Sequence, residues 1–239
     1  MPIFLFSEDS WIFGALGEAI DRFKCEQHSM ETTIETQQLV SVTSTYPILA
    51  ERGALAEYVH QRLEYDAKNW FDRLVQEERN SEEIWDEDYG VSYLISPIYL
   101  CSNLISIFGS ESQSRGAHGC AVYEGKTFWQ NGDAIVELAL DDLFVLGSSY
   151  RLFILDYCEN AFKTSGYGYY SYRKELLPEL SLNDFDTFVL TEQGLMIIFP
   201  AYKIGGWGDG PDTITISYLI LKKFIDPFGL LKDILHQYK

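Results

Sequence analysis

The stretch CAVYEGKTFWQNGDAIVELAL, residues 120–140, gives the clearest view of the fold class. Two runs rich in β-branched and aromatic residues, which favour strands, are separated by Asn131, Gly132 and Asp133. Asn-Gly favours the two-residue turn whose twist matches a pair of antiparallel strands. The sequence therefore predicts a β-hairpin whose returning strand spans residues 134–140.

Further segments have the composition of strands. Residues 31–48 are rich in Thr, Val and Ile, and this composition suits a sheet edge or one arm of a long hairpin. Residues 90–112 contain a central Pro97, and we expect one strand that is bent or bulged there, because proline removes a donor from the ladder. The others are a hairpin over residues 188–199 and a strand over residues 213–219.

One long segment has the apolar spacing of a helix. Residues 51–79 contain no proline, and apolar residues recur every three or four positions at Leu55, Val59, Leu63, Ala67, Trp70 and Leu74. This spacing predicts an amphipathic helix whose charged face is solvated. Shorter helices are predicted over residues 10–24, over 148–165 with Leu152, Leu155 and Phe162 on one side, and at the C-terminus from about Leu219 or Pro227 to Tyr238. Residues 181–185 are predicted to form a short helical turn capped by Ser181.

Strands outnumber helices, and short turns rather than crossover helices join several of them. We therefore predict an α+β fold in which a largely antiparallel sheet packs against one long helix and shorter C-terminal helices. Residues 38–239 are expected to form this domain, and residues 1–37 an N-terminal extension.

The protein is strongly acidic. Its 239 residues include 18 Lys and Arg against 36 Asp and Glu, so the formal net charge is -18. Such a surface repels nucleic acid phosphates and anionic lipids, and no apolar run reaches the roughly 20 residues of a membrane-spanning helix. We therefore expect no nucleic acid binding and no membrane insertion, and a basic protein is the better partner. The alternative is that the acidity serves only solubility.

The cysteines and the N-terminus leave the location open. Cys101 and Cys120 are expected on successive strands, where they are either cross-strand neighbours or free buried thiols. The first basic residue is Arg22, and the apolar patch before it is interrupted by Glu8 and Asp9, so we expect no secretory signal in this sequence. Either the protein stays in the cytoplasm or an export signal has been removed.

Three stretches together resemble a known family. They are Tyr46-Pro47 before the long helix, LISIFGSESQSRGAHG with the later LALDDLF, and FVLTEQGLMIIFPAYKIGGWGDGPDTITISYLIL. Over residues 38–235 their order is similar to that in the RsiV-like domain family. The matching positions are Gly116, His118 and Gly119 in a turn, Leu140, Asp141, Asp142, Leu143 and Phe144 at a helix start, and Phe199, Pro200, Tyr202 and Gly205 in a loop.

The resemblance implies a binding or sensing domain without catalytic activity. Similar domains form the lysozyme-sensing part of an anti-sigma factor and the non-catalytic part of PdaC-type peptidoglycan deacetylases. By resemblance, the ligand is a lysozyme-like muramidase or a cell-wall glycan. The family is usually extracytoplasmic, in the periplasm or at the cell surface.

Few residues suggest chemistry. His118 together with Asp141 and Asp142 has the groups of a general base or a metal site. The alternative is a tight glycine turn with one aspartate capping the helix that follows. The histidines have no zinc-site spacing, and there is no nucleophile elbow, phosphate loop or dinucleotide motif. We therefore predict no catalytic residue, no metal and no cofactor.

The residues best suited to recognition lie in the glycine-rich loop PAYKIGGWGDGPDT, residues 200–213. Tyr202 and Trp207 lie among glycines there, and exposed aromatic rings of this kind anchor interfaces. Together with Pro200 and Gly205 they form the predicted binding site, although both rings could instead pack inward. A second candidate patch, or a half-buried strand, contains Tyr167, Tyr169, Tyr170 and Tyr172.

The sequence thus favours a non-catalytic domain that binds a basic protein, either lysozyme-like or a toxin. One alternative is an intracellular immunity-type protein that neutralises a toxin. The other is a hydrolase that uses His118 with Asp141 or Asp142.

Overall fold

The structure, a computed structural model, describes residues 26–35, 39–49, 53–81, 89–101, 103–114, 120–164, 180–200, 203–204, 212–227, 229–232 and 235. Within these residues the strands form a six-stranded and a three-stranded sheet, both mostly antiparallel. One long helix and shorter helices accompany them. The predicted α+β class, with a largely antiparallel sheet and one long helix, is confirmed. The helix predicted over residues 10–24 lies outside the described residues.

The strands of the large sheet follow chain order. They are β1 (Glu26–Glu35), β2 (Leu39–Ile48), β3 (Tyr89–Cys101), β4 (Leu104–Gln113), β5 (Cys120–Asn131) and β6 (Ala134–Glu137). Neighbours are antiparallel except β2 and β3, which are parallel because the helix α1 (Ala54–Asn80) connects them. The segment 31–48 lies at a sheet edge as predicted, but it is divided between the two arms of the β1–β2 hairpin and is not one arm. The expected domain boundary at residue 38 stays a prediction.

The long helix has the buried face that its sequence predicts. α1 packs on one face of the large sheet through the whole apolar set, which is Leu55, Val59, Leu63, Ala67, Trp70 and Leu74. Burial of each large side chain contributes roughly 1.5–3 kcal/mol, so this stripe holds the helix to the sheet. On the solvated face Lys68 and Asp72 form an exposed ion pair at 3.2 Å, which contributes little to stability.

The hairpin at Asn131-Gly132 is confirmed. Asn131 pairs with Ala134, and Gly132 has a φ of 61°, in the left-handed region that favours glycine. The returning strand was predicted to reach residue 140, but β6 ends at Glu137. The chain then turns inward and forms a 3-10 turn over Leu140–Leu143, in which both leucines are buried.

The prediction of one strand over residues 90–112 is wrong. β3 and β4 are two antiparallel strands, with the reversal between Cys101 and Leu104. The irregularity at Pro97 is confirmed, since the register shifts between Pro97 and Tyr99. The register shift directly follows the proline, and the sequence between Cys101 and Leu104 contains no glycine.

The strand register also rules out a pairing of Cys101 with Cys120. β4 lies between their strands, with Cys101 opposite Leu104 at one end of β4 and Cys120 opposite Gln113 at the other. Nine residues of strand separate these two positions by ~30 Å. A disulfide needs Cα atoms within about 7 Å, so of the two alternatives the one of cross-strand neighbours is wrong.

The second sheet contains β7 (Phe188–Leu190), β8 (Gly194–Phe199) and β9 (Asp212–Ser217), in that order. The β7–β8 pair confirms the hairpin predicted over residues 188–199, and β9 is followed directly by a short helix, α3 (Tyr218–Leu221). The helix α2 (Tyr150–Thr164) joins the same apolar core.

The helix predicted over residues 148–165 exists, but its predicted inner face is only partly right. α2 buries Tyr150, Ile154, Cys158, Ala161 and Phe162. Leu152 is 60% exposed, since it lies on the opposite side of the helix. Tyr150 and Cys158 on the buried face are not strongly apolar residue types, so the sequence pattern did not identify this face. Leu155 is partly buried and packs against the same core.

The small sheet packs on the face of the large sheet that lies opposite α1. Phe108 and Tyr123 of the large sheet meet Val189, Met196 and Ile198 of the small sheet in one buried cluster. In the same interface the Leu190 N–H donates to the Ser106 Oγ at 2.9 Å. Because this interface fixes the position of β8, it also fixes where the β8–β9 loop begins.

Candidate functional site

The predicted binding loop connects β8 to β9. Its base is formed by the pair Phe199 and Asp212, and Pro200 beside it is exposed. The other predicted site residues, Tyr202, Gly205 and Trp207, lie outside the described residues, and whether their rings face solvent stays a prediction.

The described part of this loop is anchored. Ile204 is 3% exposed and belongs to the core of the small sheet. Lys203 Nζ lies 2.8 Å from Asp184 Oδ2, and the same carboxylate accepts hydrogen bonds from the backbone N–H and the hydroxyl of Ser181. This confirms the capped turn predicted over residues 181–185. The loop therefore starts from a fixed position.

Electrostatics strengthen this anchor. Partial burial acts to raise the pKa of the Asp184 carboxyl, but the hydrogen bonds from Lys203 and Ser181 and the charge of Lys203 outweigh it and hold the pKa below its ordinary value. Asp184 is therefore ionised at neutral pH, and it holds Lys203 in place.

The second candidate segment leaves the described chain close to the first. Phe162, in the last turn of α2, makes an edge-to-face contact with Phe199 at the end of β8, with ring centroids 5.3 Å apart. Phe185 packs on the same ring from another side. The segment with Tyr167, Tyr169, Tyr170 and Tyr172 follows α2, and those tyrosines lie outside the described residues. The contact brings the attachment points of the two aromatic segments together.

The turn with Gly116, His118 and Gly119 also lies outside the described residues, but both of its ends are described. Gln113 and Cys120 pair at the ends of β4 and β5. Ala121, next to Cys120, packs against the cluster that contains Ile198, next to Phe199. The β4–β5 turn and the β8–β9 loop therefore begin at the same end of the two stacked sheets.

The aspartates predicted beside His118 have structural roles. The Asp142 carboxylate accepts the Ala139 N–H at 2.8 Å and so caps the 3-10 turn. Asp141 accepts a hydrogen bond from Arg151 at 3.0 Å, and the same guanidinium binds Asp186 at 2.9 Å. Asp142 is thus the capping aspartate of the alternative prediction, while the bond between Asp141 and Arg151 was not predicted.

Phe144, the last residue of this motif, belongs to the core. It is 6% exposed and stacks on Tyr150, with ring centroids 4.0 Å apart. The motif Leu140–Phe144 therefore fixes the start of α2 against the small sheet and offers no free functional group at its aromatic end.

A polar cluster that the sequence analysis missed lies between α1 and the large sheet. The Tyr93 hydroxyl on β3 donates a hydrogen bond to Glu124 on β5, and Lys126 Nζ lies 3.8 Å from the same carboxylate. Lys126 also binds Asp66 on α1 at 2.7 Å, and Asp66 accepts from Arg62 at 3.1 Å. Acid, base and hydroxyl groups from three elements thus meet at one edge of the helix.

Burial raises the pKa of Glu124 above its ordinary value, and the negative charges of Asp66 and Glu137 act in the same direction. Lys126 and Arg62 oppose the shift without cancelling it. Signals of the cluster were present in the sequence: Arg62 and Asp66 are four residues apart on a helix, and Glu124 and Lys126 alternate with the strand period. Nothing in the sequence showed that the two pairs meet.

No described residues suggest metal or thiol chemistry. Within the described part of the chain, no three His, Cys, Asp or Glu side chains converge to hold a metal ion. The Cys158 thiol is fully buried, and burial raises its pKa to about 12, which leaves it protonated and unreactive. No helix among the described residues has the length and apolarity to span a membrane.

Comparison with known proteins gives a family for part of the chain. The family described as "Protein of unknown function (DUF3298)" matches residues 141–219. This segment begins at Asp141 and includes α2, the small sheet and the β8–β9 loop. No curated protein matches the chain.

Two solved structures are similar. A DUF3298 family protein from Pseudomonas aeruginosa PAO1 has 13% sequence identity and a TM-score of 0.62, covering 85% of this chain and 94% of that chain. A DUF3298 family member from Bacteroides fragilis NCTC 9343 has 15% identity and a TM-score of 0.47, covering 88% of this chain and 97% of that chain. The first similarity shows a shared fold.

Proposed function

We propose that this chain is a non-catalytic binding domain for a basic protein. The binding end contains the β8–β9 loop, the segment after α2 and the β4–β5 turn. The observation that carries the proposal is the contact between Phe162 and Phe199, whose ring centroids are 5.3 Å apart. This contact brings together the points where the β8–β9 loop and the tyrosine-rich segment after α2 begin. Aromatic rings on adjacent loops are typical anchors of protein interfaces.

Charge supports a basic partner. The net charge of -18 attracts a cationic protein over long distances and accelerates its association. The anchored pair Lys203–Asp184 holds the base of the loop, which lowers the entropy lost on binding. Binding by this mechanism weakens as salt concentration rises.

The resemblance to the RsiV-like family suggests the partner. A lysozyme-like muramidase is basic and acts on the cell wall, so it suits both the charge and the family. A cell-wall glycan alone would use the aromatic rings but not the charge. We therefore propose the muramidase itself as the ligand, recognised at Tyr202 and Trp207.

A hydrolase built on His118 receives less support. Asp142 caps the 3-10 turn and Asp141 is bound by Arg151, so each carboxylate already has a structural partner. The absence of catalysis stays a prediction.

The test is a titration of the purified chain with lysozyme by isothermal calorimetry, at low and at high salt. Tyr202→Ala and Trp207→Ala should each weaken binding about tenfold or more. Tyr65→Ala removes a 63% exposed tyrosine on α1 and is the matched control, with no expected effect. An absence of binding, or an affinity that neither salt nor the loop substitutions change, contradicts the proposal.

A further inference from the structure

The strand β1 forms an open edge of the large sheet. All ten of its residues, from Glu26 to Glu35, pair with β2 on one side. On the other side, no strand of the described chain pairs with it. Most of its side chains are exposed. An edge of this length leaves a row of backbone donors and acceptors available to another chain.

β1 lacks most of the usual devices that block an open edge. Proteins protect such edges with charged side chains, above all lysine, and with proline, bulges or very short strands, and of these β1 has only its glutamates. The sequence EQHSMETTIE contains neither lysine nor proline, and its register with β2 is unbroken over ten residues. The edge is therefore suited to accept a further strand.

β1 carries three glutamates and neither lysine nor arginine. Glu26, Glu31 and Glu35 are exposed, and none of them forms an ion pair among the described residues. A second copy would bring another strand with three glutamates and no lysine or arginine to this edge, and like charges close together on adjacent strands are destabilising. The edge thus disfavours its own copy and favours a cationic strand.

The face beside this edge carries hydroxyl groups. Met30 and Ile34 point towards α1, so Ser29, Glu31 and Thr33 lie on the opposite face. In register beside them the same face presents Ser41, Thr43, Thr45, Ser92 and Ser112. Ser29 bonds Thr45 at 3.0 Å and Ser92 bonds Ser112 at 2.7 Å. On this face, Glu31 and Glu35 are therefore the charged residues nearest to the edge, and the neighbours of Glu31 on β2 and β3 carry hydroxyl groups.

We propose that β1 binds an extended, basic segment of the protein partner as an additional strand. The segment presents Lys or Arg at positions i and i+4, opposite Glu31 and Glu35, which lie ~13 Å apart on one face. Backbone hydrogen bonds supply the affinity and the two charged pairs set the register. The inference rests on the proposed function only in that the partner is a basic protein.

The probe is a short synthetic peptide of Thr and Lys with Lys at every fourth position, added to the full chain. We expect slower hydrogen exchange at the outward-facing amides of β1. The same peptide with alternate backbone nitrogens methylated should give no protection, because it cannot complete the ladder. Glu31→Lys with Glu35→Lys should weaken peptide binding about tenfold.

The matched control is Glu57→Lys with Asp133→Lys, which changes the net charge equally at exposed sites outside β1 and should leave the peptide affinity unchanged. The inference is overturned if the peptide leaves β1 exchange unchanged, or if both double variants lose affinity equally. It is also overturned if β1 is already protected in the free chain, by a second copy or by residues 1–25.

Lysozyme titration separates this inference from the proposed function. If lysozyme binds the wild-type chain and the Glu31→Lys/Glu35→Lys variant equally, while the peptide gives no protection, the binding function stands and the edge site is wrong. If the peptide protects β1 but lysozyme does not bind, the edge site stands and the muramidase is wrong.

Discussion

The Tyr93 hydroxyl on β3 donates to the Glu124 carboxylate on β5 across the strand that separates them. The residue of β4 that pairs with Glu124 is Gly109. A Cβ at this position would lie 2.6 Å from the Cγ of Glu124 and 2.7 Å from its Oε1. Because Gly109 has no side chain, Tyr93 and Glu124 on the two flanking strands can form their hydrogen bond. This bond is part of the polar cluster beside α1.

Gly109→Ala should destabilise the protein by about 1–2 kcal/mol, because Glu124 must leave Tyr93 and a buried hydroxyl loses its partner. Tyr93→Phe removes the same hydrogen bond. Since both substitutions act on one interaction, their effects on the free energy of unfolding in urea should not add. Additive effects would show that Gly109 serves another purpose.

The stability of the protein should depend on the protonation of Glu124. Its pKa is raised in the folded state, so its contribution is fully present below the unfolded pKa of about 4.3 and is lost as pH rises through the folded-state pKa. Glu124→Gln does not titrate, so the variant should gain stability relative to wild type as pH rises from about pH 4 through the folded-state pKa. The measurement is urea unfolding over this range, with the exposed Glu57→Gln as control. A difference that stays flat or has the opposite slope contradicts the assignment.

The anchor of the β8–β9 loop should have the opposite pH dependence. The pKa of Asp184 is lowered in the folded state, so its contribution is present above an unfolded pKa of about 3.9 and is lost as pH falls through the folded-state pKa. The side chains of Lys203 and Asp184 are only 16% and 18% exposed, and Asp184→Asn should cost about 1.5–3 kcal/mol at neutral pH.

Thermal and urea unfolding at neutral and acidic pH test this prediction. Asp186→Asn is the control, because Asp186 is 61% exposed in its pair with Arg151 and such pairs contribute about 0–1 kcal/mol. Equal losses for the two variants, or a loss at Asp184 that grows as pH falls, would contradict the proposed anchor.

The contact between the two sheets depends on one hydroxyl. Ser106→Ala removes the acceptor of the buried Leu190 N–H and should cost about 1–3 kcal/mol. Thr127→Val also removes a partner of Ser106, but it keeps the acceptor of Leu190, so a smaller loss is expected. Chemical denaturation of both variants is the measurement, and a larger loss for Thr127→Val would contradict this order.

Local rules were enough for several elements. The stripe from Leu55 to Leu74 predicted α1 and its buried face, because helical periodicity is a property of neighbouring residues alone. Asn131-Gly132 predicted a hairpin because the turn needs a left-handed residue. For the candidate site, the sequence offered either Asp141 or Asp142 as a cap, and the structure selects Asp142. The sequence offered no test of the aromatic rings at Tyr202 and Trp207.

Other features depend on contacts between distant residues. The reversal after Cys101 replaced an expected single strand, since its turn carries no strong local signal, and it moved Cys101 and Cys120 to opposite ends of β4. The core that α2 joins determines which side of this helix is buried. Tyr150 and Cys158 are both part of that core.

Composition and local pattern were thus sufficient for the acidic charge, the α+β class, the long helix and the tight hairpins, because each depends on residues close together in the chain. The bond from Tyr93 to Glu124, the contact of Phe162 with Phe199 and the open edge at β1 depend on the tertiary structure. The physical reason is that strand order and sheet stacking bring together residues whose separation in sequence carries no periodic signal.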